Sequence, residues 1–437
     1  MSPAARRRAA PRRISERITG EPPPATSPGL PTFAPTELAA RKFEIPSPRW
    51  AIAATFFAFG VASGSWSGSS AAILARAGVD AWAFGVALTC FTGAYLAAMS
   101  SGGAVARRFT VKRTLIVVLL TIGPVLAALR LASTAIGIFV PLVAYGLLAG
   151  MLDATMNAEG ARIERRLGTP IFARLHGGAS AGGAIGAILG SVLATSAAPW
   201  ALGMIAEAGL AAAAVLVALA IEPDAGDRVG GPLPIRARIL SRSLVVLGLT
   251  IGVSITCESA TISWSALLLR REAPQWAAFA GLGAAFFFAC QATFRVNADA
   301  LRSHAADRTM MLLSFLVAAA GLGLVAVHLG FATSVVGFAI VGVGTAAIVP
   351  CGFALAASQP RVSAGAAISA VAFFGGFPRL PAPLATGAIA SAFSLSTAFC
   401  CLAALLLVAF AAVLVFIPAQ PRAARTHLAR SQRRLSS

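Results

Sequence analysis

The sequence predicts an all-α integral membrane protein: twelve transmembrane helices in two pseudo-symmetric six-helix bundles. Three observations carry that expectation. Residues AVILMFWYC make up 57% of the 437 positions, charged residues only 12%, and mean hydropathy is +0.81. A soluble chain carries about 25% charged residues. The apolar residues fall into twelve stretches of roughly the 20-residue length that crosses a bilayer. The two halves also share a meter: Trp66 lies 48 residues before Thr114 at the start of the third stretch, and Trp264 lies 45 before Thr309 at the start of the ninth.

The predicted spans are 50–73, 82–100, 114–132, 135–157, 172–197, 199–221, 243–268, 276–294, 309–329, 331–356, 364–392 and 396–417. They group into a bundle over 50–221 and a second over 243–417, joined by a polar linker at 222–242. Residues 1–49 form a basic, Pro-rich tail with no signal-peptide apolar region and are expected to be disordered. Residues 418–437 form a second basic tail. The fifth and eleventh spans are Gly-rich, and the eleventh holds three prolines, so both are expected to be irregular or kinked.

The formal charge of +19 does not indicate nucleic acid. The basic residues sit in short gaps and tails, and only two Tyr are present, so no stacking platform is interleaved with them. With both termini cytoplasmic, 30 of the 35 Lys+Arg fall in the inside segments and four (Arg76, Arg130, Arg270, Arg271) outside. That bias is the positive-inside signal, and the partner it implies is the lipid bilayer, with the tails close to anionic headgroups.

Several function classes lack their residues. The cysteines Cys90, Cys257, Cys290, Cys351, Cys400 and Cys401 lie in apolar segments without CxxC spacing and read as small packing residues. The four His are scattered, so no metal site is expected. The glycine runs at Gly177–Gly186 and Gly375-Gly376 lie inside spans, where small residues let helices approach closely, and lack a Walker Lys, so no nucleotide or other cofactor is expected. A membrane-embedded transferase needs a catalytic or metal cluster near an interface, and a non-transporting sensor needs ordered cytoplasmic domains. The chain shows neither, and a monomeric carrier of a small solute, powered by an ion gradient, is the reading that remains.

Ionisable residues inside a bilayer cost about 2.5–3.5 kcal/mol each and therefore ask for a role. Asp153 and Asn157 are four apart on one helix face. Glu258 lies mid-span, and Arg379 is the cation deep in a span, which requires a carboxylate or an anionic solute as partner. His176 is either a proton relay or an interfacial side chain. Trp66 and Trp264 either line a cavity or pack. Glu159 and Glu164 read as loop carboxylates pairing with Arg162, Arg165 or Arg166, and Glu207 faces either a helix or a cavity. Asp153, Asn157, His176, Glu258, Trp264, Arg379 and Trp66 are thus the candidates for solute binding or proton coupling.

The loop between spans two and three, Gly103-Ala-Val-Ala-Arg107-Arg108-Phe-Thr110-Val-Lys112-Arg113, resembles the loop signature of the major facilitator superfamily, with Arg107 at its Asp position and Thr110 at its second Gly. The matching stretch of the second half keeps Arg295, Asp299 and Arg302. The resemblance implies two parallel six-helix halves around a midplane site. It also implies that Gly103, Arg107, Arg108, Arg113, Arg295, Asp299 and Arg302 stabilise one conformational state. The fourth-span run Leu152-Asp153-Ala-Thr155-Met-Asn157 is similar to a stretch of fucose permease-type proton symporters, which implies proton coupling at Asp153. The acid those permeases carry in the first span has no counterpart, so sugar specificity does not follow. The run from Met151 to Ala187, and Glu258 six residues before Trp264, look most like the YbjJ-like bacterial inner-membrane branch, which implies that location.

Overall fold

The computed structural model describes residues 47–169, 171–196, 199–222, 241–297, 305–359 and 362–419, and its regular structure is entirely helical. The helices are α1 (Pro48–Ala77), α2 (Ala81–Phe109), α3 (Val111–Leu131), α4 (Ala135–Leu167), α5 (Phe172–Ala194) and α6 (Pro199–Ala220), followed by α7 (Arg242–Glu272). A 3₁₀ turn (Pro274–Phe279) leads into α8 (Leu282–Val296). Then come α9 (Asp307–Ala326), α10 (Phe331–Thr345), α11 (Ile348–Ala357), α12 (Ala364–Arg379), α13 (Ala382–Ala392) and α14 (Leu395–Phe416). The predicted linker and both tails lie almost wholly outside the described residues.

Among the described residues, ten helical segments are long and apolar enough to cross a membrane. They match ten of the twelve predicted spans. The first predicted span falls short on composition alone. Helix α1 has 30 residues, but its centre reads Gly-Ser-Trp-Ser-Gly-Ser-Ser. Those serines are buried, and three turn their hydroxyls back onto their own helix: Ser65 to Ala62 O, Ser69 to Ser65 O and Ser70 to Ser67 O. The polar stretch is hidden from lipid. The eleventh predicted span falls short on continuity, because Leu380 and Pro381 interrupt it between α12 and α13. Proline removes a helical donor and clashes with the preceding turn, so the expected kink is present as a break.

The fifth span corrects the expectation. Helix α5 is continuous. Its glycines serve close packing, not bending. A Cβ at Gly182, Gly186 or Gly190 would strike the carbonyl oxygens of Phe57, Val61 and Ser65 on α1. Reciprocally, Gly60, Gly64 and Gly68 of α1 lie against the carbonyls of Ala179, Gly183 and Ala187. The two backbones interlock at a four-residue period, as small residues permit in membranes.

Three boundaries also shift. Helix α4 runs ten residues past its predicted end, to Leu167, and stops at Gly168 in the left-handed conformation (φ 64°). Glu159 and Glu164 are therefore helical, not loop, residues. Glu159 is buried and receives both guanidinium arms of Arg162, at 2.8 and 2.5 Å. Glu164 turns to backbone instead of arginine: it accepts the N–H groups of Ile171 and Phe172 at 2.8 and 2.9 Å and so caps α5. The predicted loop at 101–113 shrinks to one residue, Thr110, with Gly103 and Arg108 on the last turns of α2 and Arg113 on the first turn of α3. Arg108 lies over the Phe109 ring at 6.0 Å. The side chain of Arg107, and Asp299 and Arg302, lie outside the described residues.

Two arginines tie helix ends together. Arg76 at the end of α1 donates to the carbonyls of Arg130 and Ala132 at the end of α3. Arg308 at the start of α9 donates to Leu414 O at 2.9 Å and Ile417 O at 2.6 Å at the end of α14. Each places a cation on the negative pole of a neighbouring helix.

Thr110 carries strain. Its φ of 68° with ψ 149° is a region that glycine alone enters freely. Its hydroxyl caps α3 by accepting Arg113 N–H at 3.3 Å, but glycine at an N-cap loses only a few tenths of a kcal/mol. Thr110→Gly should therefore stabilise the protein by about 1 kcal/mol, read as a higher unfolding temperature in detergent. A lower one would mean that the cap outweighs the strain.

Candidate functional site

Segments distant in sequence enclose one cavity of about 260 Å³. Helix α2 contributes Phe91, Thr92 and Tyr95, and α7 contributes Thr256, Glu258, Ser259, Ser263 and Trp264. Arg379 enters from the end of α12, and Pro383 and Thr386 from α13. The break that ends α12 is what brings Arg379 to the cavity wall. The lining combines aromatic faces, hydroxyls, one carboxylate and one guanidinium, which suits a small solute with an apolar face and hydrogen-bonding groups.

Glu258 is the carboxylate of the lining. One oxygen, Oε2, accepts Gln291 Nε2–H at 2.9 Å and Arg295 Nη2–H at 3.4 Å, both from α8. The other, Oε1, is buried and has no partner among the described residues. Gln291 also donates to Thr345 of α10 at 3.2 Å. Arg295, expected among loop charges, is thus a correction: it sits in the last turn of α8 with its side chain 21% exposed and belongs to this site. The loop reading failed because α8 continues past the predicted end of its span.

Asp153 lies behind the wall, not in it. Its Oδ2 accepts the Tyr95 hydroxyl at 2.5 Å, and its Oδ1 accepts Asn157 Nδ2–H at 2.8 Å. Asn157 also donates to Asp153 O, as the four-residue spacing predicts, and its own Oδ1 is buried with no partner among the described residues. Tyr95 stands between Asp153 and the cavity. Of the two partners expected for Arg379, a carboxylate or an anionic solute, no described carboxylate is within ion-pair distance, and the guanidinium lies 5.3 Å over the Tyr95 ring at the cavity wall. Cation–π contact is worth about 0.5–2 kcal/mol. The arginine stays within electrostatic range of both Asp153 and Glu258.

The remaining candidates divide. Trp264 lines the cavity and is 1% exposed. Trp66 packs instead, edge-on to Phe84 at 6.4 Å, and Phe84 meets Trp264 at 4.9 Å. His176 sits between the rings of Phe56 and Phe172, at 5.2 and 5.1 Å. Glu207 packs its chain onto Gly123 of α3 and is not in the cavity lining. No group of three or more metal-ligand side chains occurs among the described residues.

Sequence reasoning missed Tyr95, Gln291 and Thr345 because it weighed charged groups, a histidine, tryptophans and the asparagine four residues from Asp153. A signal was present. Gln291 is an amide in the middle of an apolar span, and Tyr95 is one of two tyrosines in the chain.

No protein-family model matches the chain. An uncharacterized transporter, y4wD, of Sinorhizobium fredii is 28% identical over 280 residues, covering 63% of this chain and 73% of that protein. An uncharacterized MFS-type transporter of Yersinia pestis is 29% identical over 290 residues, covering 64% of this chain and 73% of that one. Among solved structures, a point mutant of the nucleoside transporter NupG superposes with a TM-score of 0.71 at 13% identity, across 85% of this chain and all of that one. The chain shares its fold with that solved transporter, and the two relatives are named as transporters, one of them of the MFS type, which supports a role in membrane transport.

Proposed function

We propose that the chain is a monomeric, proton-coupled secondary transporter of the bacterial inner membrane, moving a small polar or amphipathic solute by alternating access. In this reading α1 and the broken α12–α13 pair complete twelve spans. The bundles 50–221 and 243–417 rock about the cavity, and both termini are cytoplasmic. The observation that carries it is Glu258: a carboxylate at the cavity, held through one oxygen and unpartnered at the other among the described residues. A buried carboxylate without a full set of partners is costly as an anion, and proton uptake removes that charge. Asp153 adds a second acid, one hydroxyl away through Tyr95. The family of relatives supports transport, and the hydroxyl-and-aromatic lining supports the solute class.

The test is uptake into proteoliposomes under an imposed proton gradient, across sugars, amino acids and amphipathic compounds. Accumulation should vanish with a protonophore. Asp153→Asn should lower gradient-driven accumulation at least tenfold while solute counterflow persists. Intact accumulation in both Asp153→Asn and Glu258→Gln would refute proton coupling at this site.

A further inference from the structure

The geometry points to Ser180 of α5 as the residue that transmits the state of Glu258 across the α5–α8 seam. It rests on the proton-coupled reading above. Four side chains close a hydrogen-bonded ring. Glu258 Oε2 accepts from Gln291 Nε2–H and Arg295 Nη2–H. Gln291 turns its Oε1 to the Ser180 hydroxyl, which donates at 3.3 Å, and Arg295 Nη1–H donates back to that hydroxyl at 3.4 Å. Three members stand on α7 and α8. Ser180 is the single member from α5 and is 3% exposed.

Apart from the ring and His176, which lies in electrostatic range of Arg295, the seam has small and apolar contacts. Gly183 receives the Phe288 ring, Gly177 lies against Val296, and Gly281 lies against the backbone of Ala187. Such contacts let α5 slide on α8 and give no response to charge. The ring is the polar link described across this seam, and it responds to charge by its chemistry. With Glu258 ionised, Arg295 has an anion to hold it and Gln291 has an acceptor for its N–H, so both present their other ends to Ser180. When Glu258 takes a proton, the anion is gone. Arg295 is released and the hydroxyl of Ser180 loses its donor. Proton binding at the cavity thereby loosens α5 from α8. Among the described residues, Arg379 on α12 and Cys257 on α7 lie in electrostatic range of Glu258, and His176 on α5, one turn before Ser180, lies in range of Arg295.

Ser180 is a positioning residue: it is absent from the cavity lining. The experiment compares Ser180→Ala, Ser180→Thr and Arg295→Lys in proteoliposomes. It reads gradient-driven accumulation, counterflow and the protons carried per solute by an internal pH dye. Ser180→Ala should keep counterflow within twofold yet lose at least tenfold in accumulation, with protons per solute falling and the pH dependence of transport flattening. Ser180→Thr, which keeps the hydroxyl, should restore coupling. Arg295→Lys has one nitrogen where the ring needs two, and should lower the ratio of accumulation to counterflow likewise. It decides the matter if Ser180→Ala fails to fold. Wild-type accumulation in Ser180→Ala, or in Arg295→Lys, overturns the proposal. Glu258→Gln separates the levels: if it too accumulates normally, proton coupling through Glu258 falls, and with Asp153→Asn also normal the whole proton-coupled reading falls. If it fails while Ser180→Ala accumulates normally, the ring alone falls.

Discussion

Gly64→Leu is expected to leave no folded protein. Gly64 sits where α1 meets α5 so closely that even a methyl would overlap Gly183 O and crowd Ala187 N. Backbone does not give way as a flexible side chain does. Overpacking a tight core costs about 1–3 kcal/mol for a few added carbons, occasionally more, and here the two helices would have to separate along their shared face. Gly60, Gly68, Gly182, Gly186 and Gly190 make the same contact above and below, so separation at one point is resisted by the others. Gly64→Ala should already lower the unfolding temperature and the monodisperse yield on size exclusion. The control lies on α5 itself. A Cβ at Gly178 meets nothing within 4 Å, so Gly178→Ala should raise stability by about 0.5–1 kcal/mol through helix propensity alone. Equal loss at Gly64 and Gly178 would show that glycine flexibility, not close approach, is what α5 needs.

Glu258→Gln should abolish gradient-driven accumulation, by at least tenfold, in protein that still folds and still exchanges solute. The amide has nearly the same shape. Its oxygen can go on accepting from Gln291, which bonds Oε2 of the acid at 2.9 Å, while Arg295 meets a neutral group as it does beside the protonated acid. What it cannot do is bind and release a proton. Glu258→Ala is a different experiment. It leaves Arg295, whose side chain is 21% exposed, without an anion, and removing one partner of a buried pair costs up to about 3 kcal/mol after allowance for that exposure. Loss of yield in Glu258→Ala beside full yield in Glu258→Gln would separate the packing role of the ion pair from titration. If Glu258→Gln concentrates solute as well as the parent protein does, the acid is structural.

The helices were legible in the sequence because the bilayer imposes one length and one chemistry on them. Asp153 and Asn157 could be paired from their spacing alone, and the pairing is present. The proline-rich eleventh span reads as kinked and is broken at Pro381. The failures share a cause. Gly182 and Gly186 read both as a source of irregularity and as small residues for close approach, and only the facing carbonyls of α1 decide for the second. Arg379 asks for a carboxylate or an anionic solute, and its own segment does not announce the tyrosine ring from the first half that it lies over. Glu164 looks like a salt-bridge partner, yet two backbone amides at the start of the next helix claim it. For the glycines and Arg379 the partner is distant in sequence, and for Glu164 it lies seven and eight residues on, across the turn into the next helix; one-dimensional pattern does not say which of these atoms fills a given space.

Arg76 and Arg308 have a consequence for engineering this protein's topology. In a bilayer, loop arginines are usually treated as interchangeable tokens whose sum decides which way the chain inserts. These two are not tokens. Each spreads its fork across two main-chain oxygens of another segment, so each is keyed to one address. Moving positive charge from loop to loop to invert the protein would keep the vote and lose the key. Lysine at either position would preserve the tally yet present a point charge in place of a fork. A redesign that leaves Arg76 and Arg308 untouched, and shuffles only the basic residues of the tails, keeps insertion and integrity as separate variables.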